Sequence, residues 1–226
     1  MADSPEIDKG ILDLETKVKA SNHMIDLKSS LGFKNAFYFP IQNATAVREV
    51  LMGALWLCVP FVGWLMNMGH RIIMIHKMQH GLSPWPSWVD WRTLLKHGFM
   101  TWLGMVYYYF PAGLLAIIGK YSNTPSLFII SFCLFLLATL AIPGYMSHYC
   151  KEFDYREIFN PFKALRRALQ GGMGYWRSWL IALSALCLSL LGLLVFGLGF
   201  LVTSVWFWQV AGFSFANTFT RAYDLQ

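Results

Sequence analysis

Residues 178–220 read SWLIALSALCLSLLGLLVFGLGFLVTSVWFWQVAGFSFANTFT and contain no Asp, Glu, Lys, Arg or His. A helix that spans a bilayer needs about 20 apolar residues, so this stretch is about two spans long. An uncharged stretch of this length is typical of helices in lipid, and the core of a soluble protein does not need one. The sequence therefore predicts two spans, 179–196 and 200–219, joined by a tight turn that contains Gly197 and Gly199.

The composition also indicates a membrane protein. Of the 226 residues, 56% are hydrophobic and 13% are charged, whereas soluble domains carry about 25% charged residues. We expect one membrane domain at 36–226. It follows a polar tail at 1–35, in which four apolar residues recur at the spacing of an amphipathic helix: Ile7, Ile11, Leu14 and Val18.

Three further apolar runs precede the long one, at 50–68, 98–119 and 126–147. Together they predict an all-α polytopic bundle of about five spans, because a helix satisfies its own backbone in lipid. Proline has no backbone N–H to donate, so we predict helix breaks at Pro60, Pro111 and Pro143. The first run can instead bend at Pro60 into a re-entrant hairpin, with both of its ends on one side of the membrane.

The basic residues are concentrated in two loops, 69–97 and 148–177, between apolar runs. The positive-inside rule then places both loops and the C-terminus in the cytoplasm. We expect the net charge of +6 to serve contact with the lipid bilayer and not with nucleic acid. A single crossing by 50–68 would leave the basic N-terminal tail outside, while a hairpin would keep it inside, and the sequence leaves this choice open.

Several stretches of the basic loops are typical of the membrane–water interface. Residues 69–81 predict a short helix that places Ile72, Ile73, Ile75 and Met78 in the interface. Trp85, Trp88 and Trp91 follow at every third position, and tryptophan prefers the level of the lipid headgroups. We interpret them as in-plane membrane anchors, with an aromatic ligand cage as the alternative.

The second basic loop contains NPFKALRRALQGG at 160–172, which predicts an amphipathic helix. Asn160 is placed to cap this helix, Pro161 to begin it and Gly171 to close it in a left-handed conformation. Its apolar residues share one face, and its basic residues are predicted to bind anionic headgroups: Lys163, Arg166 and Arg167.

Four segments of the chain follow one another in an order that is also found in a known protein family. The segments GHRIIMIHKMQHGLSPWPSWVDWRTLLKHG (69–98), YYYFPAGLL (107–115), PGYMSHYCKEFDYREIFNPFKALRRALQGGMGYWRSWL (143–180) and AGFSFANTFTRAYD (211–224) resemble domain of unknown function 4013. This is an uncharacterised family of prokaryotic multi-pass membrane proteins. Gly69 and Arg71 match its first helix loosely, and its Trp-rich loop is matched by Gly81, Pro86, Trp88, Asp90 and Trp91. The resemblance implies a multi-pass helical fold in a prokaryotic inner, intracytoplasmic or thylakoid-type membrane, and it implies no activity.

The candidate ligand residues are four histidines. His76 and His80 stand four residues apart, a spacing that suits two metal ligands on one helical face. His97 and His148 flank apolar runs, where a histidine can bind haem or a pigment metal. For each pair the alternative is an ordinary polar residue at the interface, and we assign no cofactor. The four cysteines show no CxxC spacing and are expected to be small buried hydrophobes.

No catalytic arrangement is visible, and we expect no charged residue inside the bundle. The sequence therefore predicts a protein that is not an enzyme. Our first expectation is an accessory, assembly or stabilising subunit that packs against other integral membrane proteins, for example in an energy-converting complex. A small transporter or lipid-handling protein, with proline-bent helices around an apolar cavity, is the alternative. A haem- or pigment-binding subunit is the second alternative.

Overall fold

The computed structural model describes residues 25–195 and 197–225, and all regular structure in these ranges is helical. The amphipathic helix predicted around Ile11 lies outside the described residues. The helices are α1 (Phe33–Tyr38), α2 (Ala44–Leu57), α3 (Val62–Gln79), α4 (Trp91–Tyr121), α5 (Pro125–Glu152), α6 (Pro161–Gln170), α7 (Gly172–Leu190) and α8 (Leu198–Tyr223). Short 3-10 turns lie at Phe39–Ile41, Tyr155–Glu157 and Leu191–Leu194.

Four of these helices are long and apolar enough to cross a membrane. They are α4, α5, α7 with the 3-10 turn that follows it, and α8, so the prediction of an all-α membrane bundle is confirmed. The predicted breaks at Pro111 and Pro143 are wrong, because both prolines lie inside continuous helices. In lipid, ending a helix would expose several backbone groups, whereas an internal proline frees only one carbonyl.

The first apolar run is not one helix. It is divided between α2 and α3, with Pro60 in the turn at 58–61 and Phe61 at a φ of 62°. The amide of Asn67 on α3 donates to the carbonyl oxygen of Gly53 on α2 over 3.0 Å. The two helices therefore form a tight antiparallel hairpin, the shape that the re-entrant alternative predicts, and the interpretation of 50–68 as a single straight span is wrong.

Helix α3 also continues further than predicted. The separate interface helix at 69–81 does not exist, because α3 runs without a break to Gln79 and buries Ile72, Ile75 and Met78 in the core. Glycines allow this: a Cβ on Gly69 would overlap the Leu94 carbonyl oxygen, and one on Gly98 would overlap that of Leu65. Helices α3 and α4 thus touch along their backbones.

Both ends of the described chain meet at one end of the bundle. The amide nitrogen of Asn217 donates to the carbonyl oxygens of Leu27 (2.7 Å) and Ser29 (3.0 Å), and Lys28 pairs with Asp224 at 2.6 Å. We call this the basic end, since it also carries Lys77, Lys96, Lys151 and Arg166. The opposite end carries the turn at 122–124 and the turn residues Val195 and Gly197.

The predicted glycine turn between the last two spans is confirmed in position and shifted in detail. Gly197 has a φ of +75°, the left-handed region that favours glycine. Gly199, however, already lies in the first turn of α8. The hydroxyl of Thr203 donates to the Ser189 carbonyl oxygen over 2.7 Å, which ties α8 to α7 just below the turn.

Helix α6 begins as predicted, but the left-handed glycine that follows it lies one residue later than predicted. The side chain of Asn160 accepts from the backbone N–H of Lys163 over 3.0 Å, and Pro161 is the first helical residue. Gly171 has an ordinary helical φ of −64°, so its predicted left-handed role is wrong, and Gly172 takes it with a φ of +55°. Ala164 faces α5 so closely that a Cβ on Gly144 would overlap its carbonyl oxygen.

Candidate functional site

The Trp-rich loop closes the basic end of the bundle. Residues 80–90 contain no helix, so the three-residue spacing of the tryptophans does not reflect a shared helical face. Trp85 stacks on Phe39 with ring centroids 5.2 Å apart, and Trp88 stacks on His70 at 4.1 Å. Trp85 and Trp88 are half-buried by these contacts, and their role as membrane anchors stays a prediction. Trp91, the first residue of α4, is half-exposed and keeps its predicted role.

Beneath this loop lies a buried acid. Glu49 on α2 accepts from the indole N–H of Trp88 and lies 3.2 Å from Nε2 of His70 on α3. Both Glu49 and His70 are buried, and Arg48 Nη2 approaches the other carboxylate oxygen at 3.3 Å. The expectation that no charged residue lies inside the bundle is therefore wrong. A hairpin that turns at Pro60 brings Glu49 opposite His70, which is the sequence signal that could have revealed the pair.

The next residue on α3, Arg71, is a buried cation that no acid of the described residues matches. It is 6% exposed, and its guanidinium carbon lies 4.6 Å from the ring centroid of Trp208. No carboxylate within the described ranges comes within 4.0 Å of its nitrogens, and its Nε has no hydrogen-bond partner there. Buried charges are normally paired and hydrogen-bonded, so Arg71 has free capacity for an anion.

Arg71 lines two cavities at once. The first, which we call the polar crevice, has a volume of about 250 Å³ and lies between the α2–α3 hairpin, α4 and α8. Its polar walls are Asn67, His70, Arg71, Ser204 and Gln209. Gln209 is 3% exposed, and its carbonyl oxygen has no partner among the described residues.

The second, which we call the apolar cavity, has a volume of about 320 Å³ and lies among α3, α4, α5, α7 and α8. Most of its walls are hydrocarbon or aromatic, including Ile142, Pro143, Leu186, Ala211 and Phe215. It shares Arg71, Met105 and Trp208 with the polar crevice. A volume above about 300 Å³ lies in the range of small-molecule sites. The two compartments form a candidate binding site in which the polar crevice supplies most of the polar side chains, among apolar neighbours such as Leu57 and Phe200, and the second compartment is almost entirely apolar.

The predicted metal pair lies at the basic end, apart from this site. His76 Nδ1 lies 2.7 Å from the Cys150 carbonyl oxygen, and His80 Nδ1 lies 2.8 Å from that of His76. The two imidazole rings are 4.1 Å apart. Over the described part of the chain, no group of three or more His, Cys, Asp or Glu is arranged to hold a metal. These two residues therefore have no third ligand there.

The predicted haem or pigment ligands occupy separate places in the core. His97 is buried, with Nδ1 2.9 Å from the Tyr149 hydroxyl, and its ring centroid lies 4.1 Å from that of Phe153. His148 lies against Tyr223, with ring centroids 4.9 Å apart. Their proposed role as cofactor ligands stays a prediction, and the structure does not bring the two together.

The basic residues of α6 divide into two groups. Glu157 binds both Lys163, at 2.6 Å, and Arg167. Arg167 is buried, so its predicted contact with headgroups is wrong, while the exposed Arg166 remains a predicted anchor. Burial by itself raises the pKa of Glu157, but the hydrogen bonds from Arg167 and Lys163 outweigh it and hold this pKa below its ordinary 4.5.

Four spanning-length apolar helices and an interior polar site define an all-α multi-pass membrane protein. The family model described as Protein of unknown function (DUF4013) matches residues 52–203, more than half of the chain. The chain belongs to this family, as the resemblance predicted. The matched region includes Arg71 and the Trp-rich loop. No curated protein and no solved structure matches the chain.

Proposed function

We propose that this protein is a non-enzymatic lipid-handling membrane protein that holds an acyl chain in the apolar cavity. The observation that carries the proposal is this cavity of about 320 Å³ inside a bundle of lipid-adapted helices. A void with no occupant forfeits the dispersion contacts of its lining. The acyl chain is the apolar molecule that surrounds such a bundle at the highest concentration.

The walls of the cavity supply a route of entry from the side. Leu183 on α7 and Trp208 on α8 both line the cavity and are about half-exposed. A chain that enters between them would stay in an apolar environment throughout. This arrangement corresponds to the sequence-based alternative of a lipid-handling protein, and Pro143 contributes to the cavity wall without ending its helix.

The proposal includes a placement in a prokaryotic inner membrane with the basic end in the cytoplasm. The α2–α3 hairpin then enters from the cytoplasmic side and returns to it. We place Arg71 at the cytoplasmic edge of the hydrocarbon core, and the nine residue steps of α3 from Arg71 back to Val62 then cover about 14 Å at 1.5 Å per residue. The hydrocarbon core is about 30 Å thick, so the hairpin would reach about halfway across it.

The test is photolabelling of the purified protein in nanodiscs with palmitic acid that carries a diazirine near its chain end. Leu186→Trp fills the cavity, and Leu188→Trp on the same helix is the control, because Leu188 is exposed outside the cavity. We expect adducts on cavity residues such as Phe215, reduced severalfold by Leu186→Trp and unchanged by Leu188→Trp. Adducts scattered over the outer surface, with the two variants equal, would refute the proposal.

The accessory-subunit expectation is kept as a second proposal, favoured by a different observation. Helix α6 turns apolar side chains outward at the basic end: Phe162 is 86% exposed, Leu169 74%, and Met173 just beyond it 83%. Purification in mild detergent should then yield a stoichiometric membrane partner that Phe162→Glu with Leu169→Glu releases. A lone protein on this purification would remove the second proposal. An absorption spectrum of the same sample tests the haem or pigment prediction.

A further inference from the structure

Building on the proposed function, we infer that the bound amphiphile is anionic. Its carboxylate or phosphate oxygens pair with Arg71 in the polar crevice, while its chain lies in the apolar cavity. The two compartments share part of their walls. Arg71, Met105 and Trp208 belong to both, so a molecule with its chain in one compartment and its head in the other lies against the guanidinium.

The surroundings of Arg71 favour the binding of an anion. Its side chain is buried between Trp208 and Gly212, where a Cβ would lie only 3.1 Å from the arginine Cγ and Cδ atoms. Glycine at this position gives the stem room to run along α8 and bring the guanidinium to the cavities. A tryptophan face attracts the cation, but it supplies no hydrogen-bond acceptor for Nε, which is without a partner in the described residues.

The buried acid of the neighbourhood does not neutralise Arg71. Glu49 is engaged by the indole of Trp88, by His70 at 3.2 Å and by Arg48 at 3.3 Å. Its carboxylate lies beyond 4.0 Å from the Arg71 nitrogens. Two adjacent residues of α3 thus differ: Glu49 contacts His70, whereas no acid in the described part of the chain contacts Arg71.

The polar crevice offers a further contact beside the guanidinium. Gln209 lies one residue after Trp208, lines the crevice and keeps an unpartnered carbonyl oxygen. It can accept a hydrogen bond from a hydroxyl of the head group, such as a glycerol hydroxyl or a protonated phosphate oxygen. Arginine pairs with carboxylate and phosphate alike, so the site takes a fatty acid or the phosphate of an anionic phospholipid.

The experiment compares two probes with the same diazirine-bearing chain, palmitic acid and hexadecanol. We expect the acid to label cavity residues about tenfold more than the alcohol, as for one charge-assisted contact. Arg71→Met should abolish this preference. Arg92→Met, a change of an exposed arginine on α4, should leave it intact. Each variant is checked for the elution profile of the folded protein.

Competition on the wild-type protein needs no substitution and identifies the source of the anion. Unlabelled oleate or phosphatidic acid should displace the acid probe at concentrations where phosphatidylcholine does not, and the better competitor names the natural head group. Equal cavity labelling by acid and alcohol, or equal competition by phosphatidylcholine, would overturn the anionic head group and leave the proposed function standing. Absence of cavity adducts with both probes would overturn both.

Discussion

Glu49, His70 and Arg71 are ionisable side chains that lie buried in the bundle. A buried ion pair adds little net stability, but removal of one partner leaves the other buried and unmatched. Glu49 is matched by His70 and Trp88, so this pair holds the α2–α3 hairpin closed under the Trp-rich loop. Arg71 has no such match in the described residues and is the residue on which we expect ligand binding to depend.

Substitution of Glu49 by Gln should destabilise the protein. The change weakens the acceptor that Trp88 and His70 contact at a buried site, at a cost of about 1–3 kcal/mol, the magnitude for leaving a buried polar group poorly satisfied. Thermal unfolding in detergent, followed by size-exclusion chromatography, measures the effect. Glu152→Gln is the matched control, because Glu152 is exposed. Equal midpoints for the two variants would contradict this account of the hairpin.

The Glu157 cluster should make stability depend on pH. The pKa of Glu157 is lowered in the folded protein, so its contribution is fully present above its ordinary pKa of 4.5 and is lost as the pH falls through the folded value. Glu157→Gln should therefore lower the unfolding midpoint at pH 7. The difference between the variant and the wild type should shrink towards zero below pH 4.5, and a constant difference would contradict the assignment.

At the scale of the helices, the sequence predicted where the apolar helices lie. It did not predict which side chains of different helices contact each other. Lipid requires long helices, so the runs at 98–119 and 126–147 identified α4 and α5. Asn160 and Pro161 fixed the start of α6 by local hydrogen bonding. The length of α3 was missed because His70 and Arg71 end the apolar run without ending the helix. Their burial depends on residues far away in sequence, Glu49 and Trp208.

Close backbone contact between α3 and α4 requires glycine on both helices. Gly98→Ala should separate them, because its Cβ would overlap the Leu65 carbonyl oxygen, at a cost of about 1–3 kcal/mol. Gly113→Ala on the same helix is the control, since its Cβ would meet no atom within 4 Å. We expect a lower unfolding midpoint only for Gly98→Ala. A midpoint unchanged by Gly98→Ala would show that this contact is not tight.

At the scale of the whole molecule, the α2–α3 hairpin explains how an apolar run can follow a basic N-terminal tail. A single straight span would place that tail on the outer side of the membrane. The first apolar run suggests a crossing, while the basic N-terminal tail favours the cytoplasm. With the run folded into α2 and α3, both ends of the described chain lie at the basic end. An apolar cavity was an alternative prediction, but the position and lining of the two cavities could not be predicted, since their walls come from helices that are distant in sequence.

Cysteine accessibility in intact cells tests this topology. Single cysteines at Ser30 and Asp224 mark the basic end, and one at Ser122 marks the opposite end, in a background without the native cysteines. All three positions are exposed. A membrane-impermeant maleimide should label only the Ser122→Cys protein. Labelling of Ser30→Cys with protection of Asp224→Cys would mean that the first run crosses the membrane once.

The central claim is that an amphiphile occupies the joined cavities at Arg71. The most direct measurement is a cryo-electron microscopy map of the protein in lipid nanodiscs, bound to an antibody fragment for size. The account predicts elongated density between Pro143, Leu186 and Phe215 that ends in a head group within hydrogen-bond distance of Arg71. Cavities filled by protein side chains, with the guanidinium paired to a carboxylate of the chain, would contradict it.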